Sequence, residues 1–202
     1  MAMGSQVNPR LEPAALEVHA AENLQFIRDT MERAAGFTAV PGMGGVLIGI
    51  SGLAAGIIAE SHSITAQFWI WLLEGFVAAG LGMASLYRKS KRISFPLSSR
   101  TAKRALLSFA TPIAAGAVLT LALYRIDEIR LIPGLWLLLY GVAIVTAGAF
   151  SVRVVPLMGL CFLVLGSLAL LSPSPLGNMW MMAGFGGLHV LFGIVIARKH
   201  GG

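Results

Sequence analysis

Six stretches of the chain are continuously apolar: residues 39–59, 67–87, 105–124, 131–150, 154–171 and 179–197. None alternates polar and apolar positions as a half-buried strand does. Each is long enough, as a helix, to cross a hydrocarbon core about 30 Å thick. Backbone groups in that core must be satisfied within the segment, which favours helices. The pattern predicts an all-α integral membrane protein with six transmembrane helices, preceded by an amphipathic cytoplasmic helix within residues 1–36.

The six runs fall into three copies of one phrase, in which a proline opens an apolar run and a second run carries Trp, two glycines and a basic residue. The first copy uses Pro41, Trp69, Gly75, Gly82 and Arg88. The second uses Pro112, Trp136, Gly141, Gly148 and Arg153, and the third Pro156, Trp180, Gly186, Gly193 and Arg198. Three tandem helical hairpins are predicted, over residues 37–88, 105–153 and 154–199. The prolines are expected at span starts, where a missing N–H matters little. Glycines seven apart lie two turns along one helix face, so Gly75, Gly141 and Gly186 are expected at equivalent packed positions, with Gly82, Gly148 and Gly193 below them. The first run adds Gly45, Gly49, Gly52 and Gly56 at the small-xxx-small spacing that lets helix backbones approach closely. That seam predicts packing within the protomer, with a homo-oligomer contact as the sharper alternative. Trp69, Trp71, Trp136 and Trp180, near the outer ends of even-numbered runs, are expected to form an aromatic belt.

Charge orients the predicted bundle. With 56% hydrophobic and 12% charged residues, the chain is far from the soluble norm of about a quarter charged. Placing the N-terminus inside puts 13 of the 15 basic residues on that side, leaving only Arg125 and Arg130 outside. This is the positive-inside asymmetry, so both termini are expected in the cytoplasm, with a bacterial inner membrane as the setting. The net charge of +6 therefore encodes orientation, and no nucleic-acid partner is implied. A basic cytoplasmic loop over residues 88–104 carries Arg88, Lys89, Lys91, Arg92, Arg100, Lys103 and Arg104, with no acidic residue. Residues 1–36 hold five of the nine acidic residues, and Leu16, Ala20, Leu24, Ile27 and Met31 recur at helical spacing. This segment is expected to contact the basic loop, or a cytoplasmic protein partner through residues 11–36.

Candidate chemistry is sparse. Glu74 and His189 are the acid–base side chains that fall well inside the apolar runs, and intramembrane ionisable residues raise a functional hypothesis. Counted from the first glycine of each even run, Glu74 takes the place held by Tyr140 and Phe185, with His189 one turn further along its own run. A Glu74–His189 pair is expected if those runs touch. Lone Cys161 excludes an intramolecular disulfide or a thiolate cluster, and His19 and His200 are expected in the cytoplasm with His62 in an outer loop, so no metal site is expected. The chain contains no phosphate loop, H-E-x-x-H, G-x-S-x-G or Cys-x-x-Cys, so neither an enzyme nor a cofactor is predicted.

The stretch Gly134–Val142, followed by Ala147–Phe150, Val155–Gly159, Leu165–Gly166 and Ser172–Pro173, resembles the repeat of HdeD-type membrane proteins. Those are small six-span proteins of three hairpins, associated with acid resistance in enteric bacteria. The likeness is clearest over residues 131–197; Glu74, the glycine-rich first run and the acidic N-terminal segment depart from it. It implies the hairpin fold and brings no catalytic residue with it. The leading functional expectation is a non-enzymatic structural, interaction or stress-related membrane protein with a cytoplasmic partner surface. The alternative is a small transporter or channel coupling protons or cations through Glu74 and His189, and a lesser one a haem- or quinone-linked redox protein.

Overall fold

The computed structural model describes residues 18–19, 22–27, 40–94, 96–172 and 176–200. The chain divides into two compact units, residues 1–36 and residues 37–202. In the first, residues 22–27 are helical and His19 Nδ1 lies 3.3 Å from Glu22 Oε2. The rest of the segment expected as an amphipathic helix, residues 11–17, 20–21 and 28–36, lies outside the described residues.

The second unit is all-helical, with no strand among the described residues. Its helices are α1 (Gly42–Glu60), α2 (Ile64–Arg92), α3 (Arg100–Arg125), α4 (Ile132–Gly148), α5 (Val154–Leu171) and α6 (Gly177–Lys199). A 3₁₀ turn, Ile129–Leu131, leads into α4. Six helices are thus long and apolar enough to cross a membrane, which makes this an integral membrane protein by length and composition. Local sequence explains several boundaries. Ser63 and Ser99 cap α2 and α3 by accepting from the N–H groups of Ala66 and Ala102. Pro133 occupies the first turn of α4, where its missing N–H leaves no gap.

Two expectations about local structure are corrected. The basic stretch 88–104 is mostly helix: Arg88, Lys89, Lys91 and Arg92 finish α2, Arg100, Lys103 and Arg104 begin α3, and only residues 93–99 connect them. At 1.5 Å per residue, the 29-residue α2 is roughly 44 Å long, so its basic turns extend past a 30 Å hydrocarbon core. Lys89 is buried and donates from Nζ to the Val40 carbonyl at 2.9 Å, while the other six basic residues of the stretch are exposed. Pro112 is not at a helix start but in the interior of α3, because the helix already begins at Arg100. Proline there strips the Ser108 carbonyl of its usual N–H donor. Thr146 Oγ1 of α4 supplies a substitute at 3.1 Å, sharing its hydrogen with the Val142 carbonyl.

Glycine faces seat two of the main packing partners, α1 with α6 and α4 with α5. Along α1, Gly42, Gly45, Gly49, Gly52 and Gly56 all lie against α6; a Cβ at Gly49 would sit 2.6 Å from the Val190 nitrogen, and one at Gly193 2.6 Å from the Val46 nitrogen. Gly186 abuts Leu53 of α1. Gly141 and Gly148 of α4 lie against α5, where Cβ atoms would come within 2.8 Å of the Leu163 nitrogen and 2.9 Å of Pro156. The closest neighbours are α4 with α5, α1 with α6, α3 with α4, and α1 with α2, whereas α5 and α6 touch sparsely. The third hairpin, expected as a packed pair, instead sends each of its helices to a different partner. A buried aromatic and methionine cluster, Leu137, Met158, Phe162, Met181 and Phe192, joins α4, α5 and α6. Gly75 departs from its expected packing: a Cβ there meets no atom within 4 Å, and one at Gly82 meets only the tip of Ile48.

Candidate functional site

The loose packing around Gly75 marks one wall of a cavity. Helix α2 packs along α1 but contacts α3 only sparsely. The two helices come together near their ends. At one end Phe68 stacks on Tyr124 with ring centroids 5.3 Å apart, and Trp69 meets the same ring edge-on. At the basic end Leu86 packs on the buried Ala102–Ala105 pair. Between these closures lies a cavity of about 1120 Å³, bounded on one side by the small residues Gly75, Ala78, Ala79 and Gly82 of α2 and on the other by α3, α4 and α6. Its volume slightly exceeds the range of ordinary ligand pockets, about 300–1,000 Å³.

Both sequence-predicted intramembrane residues, Glu74 and His189, line this cavity and are buried, at 9% and 3% exposure. They do not form an ion pair; among the described residues the one such contact is His19–Glu22. The expected Glu–His pair is replaced by two separate arrangements. Glu74 Oε1 accepts from Ser51 Oγ of α1 at 2.7 Å. His189 Nε2 lies 2.7 Å from the Tyr140 hydroxyl of α4. The reason is positional: α1 lies between α2 and α6 as the helix on which both pack, so Ser51 reaches Glu74 first.

Around His189 the surroundings are aromatic. Its ring stacks on Phe185 at an interplanar angle of 17° and meets Phe162 edge-on. Tyr140 lies 4.9 Å from Phe162 and 5.0 Å from Phe185, centroid to centroid. The other imidazole nitrogen, Nδ1, is fully buried without a well-oriented hydrogen bond, although the Gly184 and Phe185 carbonyls approach the ring. Those carbonyls are placed by a π-helical segment, Met182–Leu188, that ends where His189 begins. Single π turns inside α-helices occur frequently at functional sites. The glycine-rich 184–193 stretch thus has a physical reading: small residues let α6 widen and still lie against α1.

Sequence reasoning missed three contributors. Tyr140 was visible as the repeat equivalent of Glu74 but not as the partner of His189. Ser51 carried no signal beyond being a hydroxyl in an apolar run. Asn178, at the start of α6, is buried and accepts from Trp71 Nε1 at 2.9 Å while its amide nitrogen donates to the Gly56 carbonyl at 3.0 Å and to Glu60 Oε2 at 2.6 Å. A buried indole N–H usually finds an acceptor, which was the available clue. The same rule applies to the other indoles expected in the aromatic belt. Trp136 donates to Thr120 and Trp180 to Ser172, each at 2.9 Å, so three of the four indoles are tied into the protein, and Trp69, at 53% exposure, is the outward-facing one.

Among the described residues no three metal-binding side chains converge. Comparison with protein-family models, with characterised proteins and with solved structures found no match. The fold and site define a class, a six-helix membrane protein with a cavity between its helices.

Proposed function

We propose that this protein is a non-enzymatic membrane-embedded binding or carrier protein, which admits a lipophilic molecule sideways from the bilayer between α2 and α3. The observation that carries this reading is the unfilled, small-residue wall of α2 at Gly75 and Gly82, opposite an aromatic lining. The space is partly open between α2 and α3, so a molecule dissolved in the bilayer can reach it. This reading refines the transporter alternative. Glu74 serves as a polar anchor within a mostly apolar cavity, and His189 holds Tyr140 in its wall.

The test uses a small apolar photoactivatable diazirine in membranes containing the purified protein. Adducts are expected inside, on Tyr140 and Phe185, as well as on outward residues such as Ile57, which is 68% exposed. Gly75→Phe should reduce the interior adducts by placing a ring in the space beside α2 and leave those on Ile57 unchanged. Labelling confined to outward residues in the unsubstituted protein would sink the reading.

Orientation belongs to the same proposal. Both termini and the exposed basic residues of 88–104 are assigned to the cytoplasm of a bacterial inner membrane. In a Cys161→Ser background, Ser63→Cys should react with an impermeant thiol reagent added to intact cells, and Lys103→Cys only after lysis. The opposite pattern reverses the topology. The second reading, a cytoplasmic partner surface within residues 11–36, is favoured by the helical 22–27 segment, where Leu24, Phe26 and Ile27 are exposed. A homo-oligomer through the small residues of α1 is less favoured, since that seam is used against α6.

A further inference from the structure

The chemistry of the cavity narrows its occupant, on the assumption that it is a ligand site. Glu74 lies ten residues into α2, roughly 15 Å along the helix from Ile64 and so near the middle of a 30 Å core. A carboxyl group at that depth ordinarily has a partner of opposite charge or a dense set of hydrogen-bond donors. Here one oxygen receives the Ser51 hydroxyl, and among the described residues no hydrogen bond reaches the other. No lysine, arginine or histidine of the described residues lies within ion-pairing distance of it. The basic side chain on the cavity wall is Arg130, in the 3₁₀ turn at the far end from the basic turns, and Glu128 lies beside it in sequence. The cavity wall also carries aromatic rings among its aliphatic side chains. Trp71 lies one turn away on the same helix, with Phe109, Tyr140 and Phe185 across the space.

A single carboxylate facing several π-systems is complementary to one kind of head group. The faces of Trp, Tyr and Phe attract cations through their quadrupoles, most strongly when water is excluded. An anion would meet Glu74 with no cation at that level to offset it. A neutral hydrogen-bonding head group would gain no charge attraction from Glu74, and the Tyr140 hydroxyl is already engaged with His189 Nε2 at 2.7 Å. We propose that the cavity takes an amphipathic cation, a quaternary ammonium or phosphonium centre on a lipophilic body, with Glu74 as counter-ion and the surrounding rings as its cage. His189 then acts as a positioning residue: its contact with the Tyr140 hydroxyl holds that ring against Phe162 and Phe185.

Three probes of matched shape and different charge test this: tetraphenylphosphonium, tetraphenylborate and neutral tetraphenylsilane. Binding is measured by equilibrium dialysis to full-length protein in phosphatidylcholine nanodiscs, with empty nanodiscs subtracted. The expected ranking puts tetraphenylphosphonium at least tenfold tighter than tetraphenylborate, with the silane between. Glu74→Gln should weaken phosphonium binding by tenfold or more and leave silane binding unchanged, which also reports that the variant is folded. Glu74→Asp should keep the preference for the cation. Equal binding of all three probes, or a preference for the borate, overturns the cation assignment while leaving the lateral cavity standing. If none binds above empty nanodiscs, both the cation assignment and the cavity reading fall. The three-probe ranking in the unsubstituted protein needs no variant, so a Glu74→Gln chain that fails to fold does not rescue the proposal.

Discussion

Leucine in place of Gly49 is expected to cost about 3 kcal/mol of stability, the upper end of the usual overpacking penalty. A Cβ at this position would lie 2.6 Å from both the nitrogen and Cγ2 of Val190 and 2.7 Å from the Gly186 carbonyl oxygen. Two of these three atoms belong to the backbone of α6, so a rotamer change cannot relieve the contact. The helices must separate, and separation forfeits close dispersion contacts along their shared face. Gly75→Leu gives the internal comparison. Nothing lies within 4 Å of the added Cβ, so its effect on stability should stay within about 0.5 kcal/mol. Denaturant titration in mixed micelles, followed by Trp fluorescence, measures both variants against the parent. Equal destabilisation of the two would show that glycine is required for another reason than helix approach, and the assignment of the α1–α6 seam would fail.

That contrast also marks the boundary of what was legible in the sequence. The six runs were readable because membrane burial imposes a continuous apolar stretch, and the described helices cover all of them. Partner choice was not readable. Seven-residue glycine spacing announces a face on which a neighbour can approach, yet it carries no information about which neighbour. Gly141 and Gly186 found α5 and α1, while Gly75, identical in local pattern, found open space. Pro112 was misplaced for a related reason. Hydropathy locates the apolar part of a helix, whereas α3 starts among basic residues beyond it. Glu74 and His189 stood out because ionisable groups are rare in such runs, but their partners Ser51 and Tyr140 are ordinary residues made significant only by tertiary placement.

Asn178 shows the largest effect that the sequence did not announce, and it tests whether the polar end of the bundle acts as one unit. Its side chain joins three helices: the carbonyl accepts from Trp71 of α2, and the amide hydrogens go to Gly56 and Glu60 of α1. The amide orientation follows from this set, since a flipped group would turn its oxygen towards two acceptors and its nitrogen towards the indole donor. At 5% exposure there is little water to substitute for a lost partner. Asn178→Leu keeps a similar volume but strands the indole N–H, and a buried donor left unpaired costs about 1–3 kcal/mol. With the Glu60 contact also lost, a total near 3 kcal/mol is expected. Trp71→Phe removes the donor itself and should cost less when Asn178 is already leucine, because no N–H then remains to be stranded. The double variant should therefore be more stable than the sum of the single effects predicts, by about 1 kcal/mol. Trp71 lies one turn from Glu74 on the cavity wall, so the same cycle should shift interior diazirine labelling. Additivity within about 0.5 kcal/mol would mean that the Trp71–Asn178 contact contributes nothing to holding α2 against α6.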